Sequence, residues 1–180
     1  MKQHIHVFGA SGAGTTTIAK TVSWQLGYKH FDSDDYFWLP TPDPYTVTRE
    51  RSACLKMMEE DLSQNDQWVL SGSLANWGNI LIPYFDLVIF VYVPPNIRLA
   101  RLKKRERERF GNEVNEGGTR YHHSQEFLTW AAAYDDGTQD GRSLPVHEEW
   151  LKHISCSTLR IVNIDLNTSI AAAMQAVGRP

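Results

Sequence analysis

The chain has 180 residues, 42% of them hydrophobic, which predicts one domain with room for a small inserted subdomain. A net charge of −3 and a pI near 6.1 leave no overall basic footprint, so nucleic acid is not the expected main partner. The longest apolar run, Leu87 to Val93, is about a third of a membrane span, and no apolar leader with a cleavage site opens the chain, so neither a membrane nor an export role is expected. Cys54 and Cys156 lie far apart without a C-x-x-C pattern, which predicts a reduced, cytoplasmic protein whose thiols pack rather than ligate. The seven histidines make no zinc spacing either, since the side chains of adjacent His122 and His123 diverge on a helix.

In chain order, Ile5, Val7 and Phe8 predict a short strand that ends at Gly9, and Ile18, Ala19, Val22 and Leu26 carry a helix from Thr16 to Leu26. Between them runs Gly9-Ala10-Ser11-Gly12-Ala13-Gly14-Thr15-Thr16. It follows the phosphate-binding pattern G-x-x-x-x-G-K-[ST], in which backbone N–H groups cradle phosphates, lysine reaches the β- and γ-phosphates and the last hydroxyl ligates Mg²⁺. A strand, a glycine-rich turn and a helix N-terminus form an anion site. Thr15 stands where the pattern has lysine.

A second strand spans Lys29 to Asp32 and runs into Asp32-Ser33-Asp34. Two carboxylates at a strand's C-terminal end suit Mg²⁺, which prefers carboxylate and phosphate oxygens with retained waters. Asp35 is read as a helix N-cap. A Pro-rich stretch from Leu39 to Tyr45 precedes a helix from about Thr48 to Ser63 with Cys54, Leu55, Met58 and Leu62 on one face. The strand Gln67 to Leu70 ends in Ser71-Gly72-Ser73, and Asp86 to Val93 reads as a strand buried on both faces, stopped by Pro94-Pro95. A basic helix follows to Arg109, with Ile97, Leu99 and Leu102 apolar; Phe110 to Gly118 reads as a mobile loop, and Gln125 to Tyr134 and Val146 to Ile154 as helices, the first in an insertion over the sheet edge. A last strand, Leu159 to Ile164, leads to a helix from about Ser169 to Val177. Alternating strands and helices predict an α/β fold with a parallel sheet covered on both faces.

These residues resemble those of P-loop small-molecule kinases of the adenylate kinase and shikimate kinase type, and the chain is similar to the small DNA topology modulation proteins. The resemblance implies the three-layer P-loop NTPase fold, a five-stranded parallel sheet with helices on both faces and a helical lid insertion at about 107–145. It also implies a Mg²⁺-dependent transfer of the γ-phosphate of ATP to a small-molecule acceptor. Asp32-Ser33-Asp34 matches the D-[ST]-D run of shikimate kinases, which gives Asp32 a place in the metal shell and Asp34 the acceptor hydroxyl. Arg101 and Arg105 share a helical face in the adenylate kinase pattern, one against the adenine ring and the other on phosphate. Lys103 and Lys104 read as solvated.

The candidate site is therefore Gly9, Ser11, Gly12, Ala13, Gly14, Thr15, Thr16 and Arg101 for nucleotide, Thr16 and Asp32 for Mg²⁺, and Asp32, Asp34 and Arg105 for transfer. Arg107, Arg109, Arg120 and Arg142 are equal candidates for a lid arginine. Losing a charged donor beside a phosphate removes on the order of 1.5–3 kcal/mol, which a lid arginine or Arg105 could restore. Tyr36, Phe37, Trp38, Tyr45, Trp77, Trp130 and Tyr134 suit either core packing or a flat acceptor ring. Arg49 or Arg51 opens the second helix where related enzymes bind an acidic group, while Ser71-Gly72-Ser73 replaces the glycine triplet of shikimate kinases and argues against shikimate itself. Thr15 leaves two readings open, a working kinase with a relocated charge and a nucleotide-binding protein without transfer. A nucleic-acid-binding regulator rests only on the Arg101 to Arg109 run.

Overall fold

Apolar alternation builds two cores on one sheet. In β1 (His4–Gly9), Ile5 and Val7 point to one face while His6 and Phe8 point to the other, and all four are fully buried. The computed structural model describes residues 1–178. Its five strands, β1, β2 (Lys29–Asp32), β3 (Trp68–Ser71), β4 (Leu87–Tyr92) and β5 (Ser157–Val162), form one parallel sheet in the order β2-β3-β1-β4-β5. Ile5 lies opposite Val69 and Leu87, which sets the register at the centre.

The Ile5 face packs on α1 (Thr15–Leu26) and α7 (Leu166–Val177) through Ile18, Val22, Ala173 and Val177. The Phe8 face packs Met58 of α3 (Arg51–Ser63) and, from α6 (Leu144–Leu151), Trp150, whose ring meets Phe8 edge-on at 5.0 Å. β3 is buried at all four positions and β4 at its first five, the continuous pattern of strands covered on both faces. β5, at the edge, buries only Ile161. Because β3 and β4 flank β1 on opposite sides, the chain reverses direction across the sheet there, and clefts at such carboxyl ends are where α/β proteins bind ligands.

Several boundaries differ from the sequence expectation for identifiable reasons. Helix α2 (Ser33–Phe37) is a single turn capped by Asp32, whose side chain accepts from the Asp34 amide, so Asp32 and not Asp35 is the N-cap. Thr48 bridges to Trp38 instead of opening a helix, and α3 starts at Arg51, capped by Glu50. Asp165 caps α7, which ends β5 at Val162 and starts the helix three residues before Ser169. Ser143 caps α6, with Pro145 in its first turn.

Helix α4 (Pro95–Phe110) buries Arg98, Leu102 and Glu106, while Ile97 and Leu99 are only half-buried. The stretch expected as a mobile loop folds into a 3₁₀ turn, Gly111–Val114, and Arg120 returns its amide to the Glu113 carbonyl at 3.0 Å. Helix α5 (Tyr121–Ala132) follows and packs along α4 rather than over an open sheet edge. No helix among the described residues is long and apolar enough to cross a membrane.

Candidate functional site

The loop after β1 is shaped by contacts that only glycine permits. A Cβ on Gly9 would stand 2.2 Å from the Val91 carbonyl oxygen, and Gly14, at φ +86°, closes the loop in the left-handed region just before α1. Asn163, at the end of β5, donates to the Ala13 carbonyl at 2.8 Å and accepts from Ser169 at 3.0 Å, which clamps the loop from beneath. Helix α1, like α4 and α5, carries no side-chain cap, and it alone of these three starts at the glycine-rich loop. Its first-turn N–H groups, together with its dipole, are therefore presented to an anion.

Asp32, at the end of β2, meets the helix that follows this loop, and Asp34 comes two residues later on α2. Thr16 Oγ1 donates to Asp32 Oδ2 at 3.0 Å, and Asp32 Oδ1 accepts from the Asp34 amide at 3.1 Å. A hydroxyl and a carboxylate in contact beside a phosphate cradle are a donor set that fits Mg²⁺, which takes few protein ligands and keeps waters and phosphate oxygens. Among the described residues no three His, Cys, Asp or Glu side chains group as a protein-only metal cage. Asp34 is exposed, yet the atoms around its carboxyl desolvate it and push its pKa up, against the pull of Arg142 and Arg105.

The arginines separate by location. Arg105 is half-buried, lies over the Phe127 ring at 5.6 Å and has a buried Nε without a partner; burial and nearby Arg109 lower its pKa. Arg101, one turn earlier, instead donates to the Ile164 carbonyl at 3.2 Å, beside a shallow depression lined by Asn96, Ile97, Ala100 and Lys104. Of the four lid candidates, Arg120 pairs with Asp43 and covers Phe110, Arg109 covers Tyr45 and Arg107 is exposed. Arg142 reaches the loop, with Nη1 3.4 Å from Ser11 Oγ.

The AAA domain model matches residues 5–119, which include the glycine-rich loop, Asp32, Asp34, Arg101 and Arg105. The chain belongs to the AAA domain family. Within this AAA domain protein, 161 residues are 45% identical to the uncharacterized protein YqaC of Bacillus subtilis (strain 168), covering 89% of each chain. A cytidylate kinase of Archaeoglobus fulgidus is 27% identical over 113 residues, 57% of this chain and 61% of its own length. Shikimate kinase from Bacteroides thetaiotaomicron superposes with a TM-score of 0.60 at 14% identity, over 99% of this chain and all of that one, a likeness of fold. Its five-stranded parallel sheet with helices on both faces is the P-loop NTPase fold that the sequence resemblance implies.

The AAA domain fold divides the seven aromatics. Tyr36 is buried with its hydroxyl on Asp61 at 2.7 Å, Tyr134 is buried against His147, and the Trp130 indole donates to the Asp140 carbonyl, so these three hold structure. Phe37 touches both Trp38 and Trp77, and Trp38 meets Tyr45, an exposed ring beside Arg109. Arg49 is spent on the Tyr36 carbonyl and Arg51 is exposed.

Three features have no counterpart in the sequence reading. One is Asn163 under the loop. The second is a buried relay in which His147 contacts Ser73 Oγ through Nε2 and Tyr134 OH through Nδ1, both at 2.8 Å. The third is Arg98, fully buried, bonded to Asp135 and to the Ala131 carbonyl and stacked over Tyr134. His147 interrupts the apolar pattern of α6 and is the one signal that sequence offered; Arg98 is indistinguishable from its exposed neighbours.

Proposed function

We propose that this protein is a Mg²⁺-dependent phosphotransferase that moves the γ-phosphate of a nucleoside triphosphate, ATP, to a small-molecule acceptor. The observation that carries the reading is the juxtaposition of Thr16, Asp32 and Asp34 at the mouth of the loop. Thr16 and Asp32 would hold Mg²⁺, which when bound neutralises charge on the phosphate oxygens. The amides from Ser11 to Thr16 bind and orient the phosphates. Asp34 orients the acceptor hydroxyl and takes its proton as the new O–P bond forms and the bond from the γ-phosphorus to the bridging oxygen breaks, releasing ADP. Arg105 stabilises the charge that develops on the transferred group.

On the acceptor side, the contiguous Phe37, Trp38, Trp77 and Tyr45 favour a flat ring, and Arg105 and Arg109 favour an anion. The similarity to cytidylate kinases supports a nucleoside monophosphate first, with shikimate and gluconate as the contrasting small acids of the panel.

The test is turnover of Mg·ATP with that panel, paired with calorimetric ATP binding. Asp34→Asn is expected to abolish transfer while ATP affinity stays within about twofold. Unchanged turnover in that variant removes Asp34 from its role. Thr15 favours a second reading, a nucleotide-binding protein without transfer, and tight ATP binding with no turnover on any acceptor would select it.

A further inference from the structure

The pattern around Gly9 to Thr16 calls for a cation that the loop does not contain, because Thr15 is uncharged and too short to reach beyond the loop backbone. Four nearby cations are candidates to replace it. Lys20 is exposed, more than a turn along α1, and its charge acts on His30 of β2. Arg101 is turned to the Ile164 carbonyl. Arg105 lies over the Phe127 ring and has no hydrogen bond onto the loop. Arg142 alone of these has a hydrogen bond onto a side chain of the loop itself, from Nη1 to Ser11 Oγ at 3.4 Å.

Arg142 is also held from behind by a rigid anchor. The next residue, Ser143, is buried and caps α6, and the Leu144 amide donates to the Tyr134 carbonyl at 2.7 Å. One turn on, His147 is pinned between Ser73 and Tyr134, and Trp150 packs on Phe8 while its indole donates to Asn79 at 2.7 Å. The guanidinium therefore projects from the foot of a packed helix rather than from the tip of a loop, so little ordering is left to be done when a ligand arrives. Of the charges acting on the Asp34 carboxylate, that of Arg142 is the strongest.

We propose that Arg142 supplies the cation that the loop lacks at Thr15, binding the β- and γ-phosphates from the α6 side of the cleft. The inference rests on the nucleotide-binding half of the reading above and not on transfer. A guanidinium suits the task because its planar fork meets two phosphate oxygens at once, where the loop lysine meets them as a point charge. The site has exchanged a cation at the start of α1 for one just before the cap of α6, 131 residues from Ser11 in sequence.

The experiment is calorimetric titration of Mg·ATP, Mg·ADP and AMP into the full chain and into Arg142→Ala, Thr15→Lys and the double variant, each checked for fold by its thermal midpoint. Arg142→Ala is expected to weaken ATP and ADP about 10- to 100-fold, the loss of one charged hydrogen-bonding group, with AMP hardly changed. Thr15→Lys is expected to restore most of that loss in the Arg142→Ala background and to add little to the wild-type chain, where a second cation meets the first. Unchanged ATP affinity in Arg142→Ala overturns the proposal, as does an equal loss for AMP or an equal gain from Thr15→Lys in both backgrounds. Absence of turnover removes the phosphotransferase reading and leaves these affinities to decide this one; failure of the wild-type chain to bind any nucleotide defeats both.

Discussion

Thr16 Oγ1 and Asp32 Oδ2 meet at 3.0 Å, while the second oxygen of the same carboxylate caps α2 through the Asp34 amide. One side chain thus joins the helix that follows the loop to the helix that carries Asp34. The two duties can be separated by substitution, because an Asn side chain keeps a capping oxygen but not the charge. Asp32→Ala should cost about 1 kcal/mol of stability through the lost cap. Asp32→Asn should leave stability within a few tenths of a kcal/mol yet raise the Mg²⁺ concentration needed for half-maximal turnover. Urea midpoints and a Mg²⁺ titration of both variants check this, and equal Mg²⁺ dependence in Asp32→Asn and wild type would remove Asp32 from the metal shell.

As the base of the proposed transfer, Asp34 would give that reaction a pH signature. Desolvation raises its carboxyl above the ordinary value of 3.8, and Arg142 and Arg105 pull it back. A base must be ionised, so turnover should rise with pH through a value above 3.8, and removing either arginine should move that limb to higher pH. Stability follows the opposite sense: the fold holds this proton more tightly than the unfolded chain does, so the contribution is complete below the unfolded value and is lost as pH rises through the folded one. Asp34→Asn should therefore melt higher than wild type at neutral pH, with the difference fading in acid. A lower melting midpoint at neutral pH would show that the ionised carboxylate is stabilising where it sits.

His6 and His147 have fully buried rings whose pKa burial lowers from 6.5 to about 3. Both stay neutral in the fold, whereas the unfolded chain takes up their protons below 6.5. Stability is therefore complete above 6.5 and drains away as pH falls toward 3. At a pH of about 4.5 the loss should be roughly 2–3 kcal/mol for each ring, at about 1.4 kcal/mol per pH unit. His147→Leu should roughly halve that acid slope and lower stability at neutral pH, since it leaves the Ser73 and Tyr134 hydroxyls buried without their shared partner. Denaturation curves at neutral and acid pH measure both quantities; an unchanged slope would place the acid sensitivity elsewhere.

The loop and the Asp32-Ser33-Asp34 run were legible because their chemistry is local: glycine offsets and neighbouring carboxylates fix the backbone wherever the chain folds. The sheet was legible for a similar reason, since continuous apolar runs such as Leu87 to Val93 suit strands covered on both faces. Asp32 and Asp35 could not be ranked as caps, because the choice turns on the residue at which β2 leaves the sheet. Asn163 holds Ala13 across 150 positions and His147 holds Ser73 across 74, and no short window of sequence encodes such pairings. The same distance hid which lid arginine meets the loop.

Arg98 and Asp135 pose the sharpest case of a buried charge. The guanidinium is fully buried, bonded to Asp135 and to the Ala131 carbonyl, so it ties the end of α5 to the first turn of α4, directly behind the loop. Its backbone carbonyl would lie 3.1 Å from a Cβ on Gly12, which couples this anchor to the phosphate cradle. Breaking a buried pair from one side leaves the other charge uncompensated, at about 3–5 kcal/mol, whereas replacing both by apolar groups is often neutral. Asp135→Leu alone, which strands the fully buried guanidinium, should therefore destabilise the fold by about that amount, and Arg98→Met with Asp135→Leu should recover most of it. If the pair serves only to hold α5, the double variant will keep ATP affinity near wild type. If it also sets the loop, affinity will fall while stability recovers, and urea denaturation paired with ATP titration separates the two.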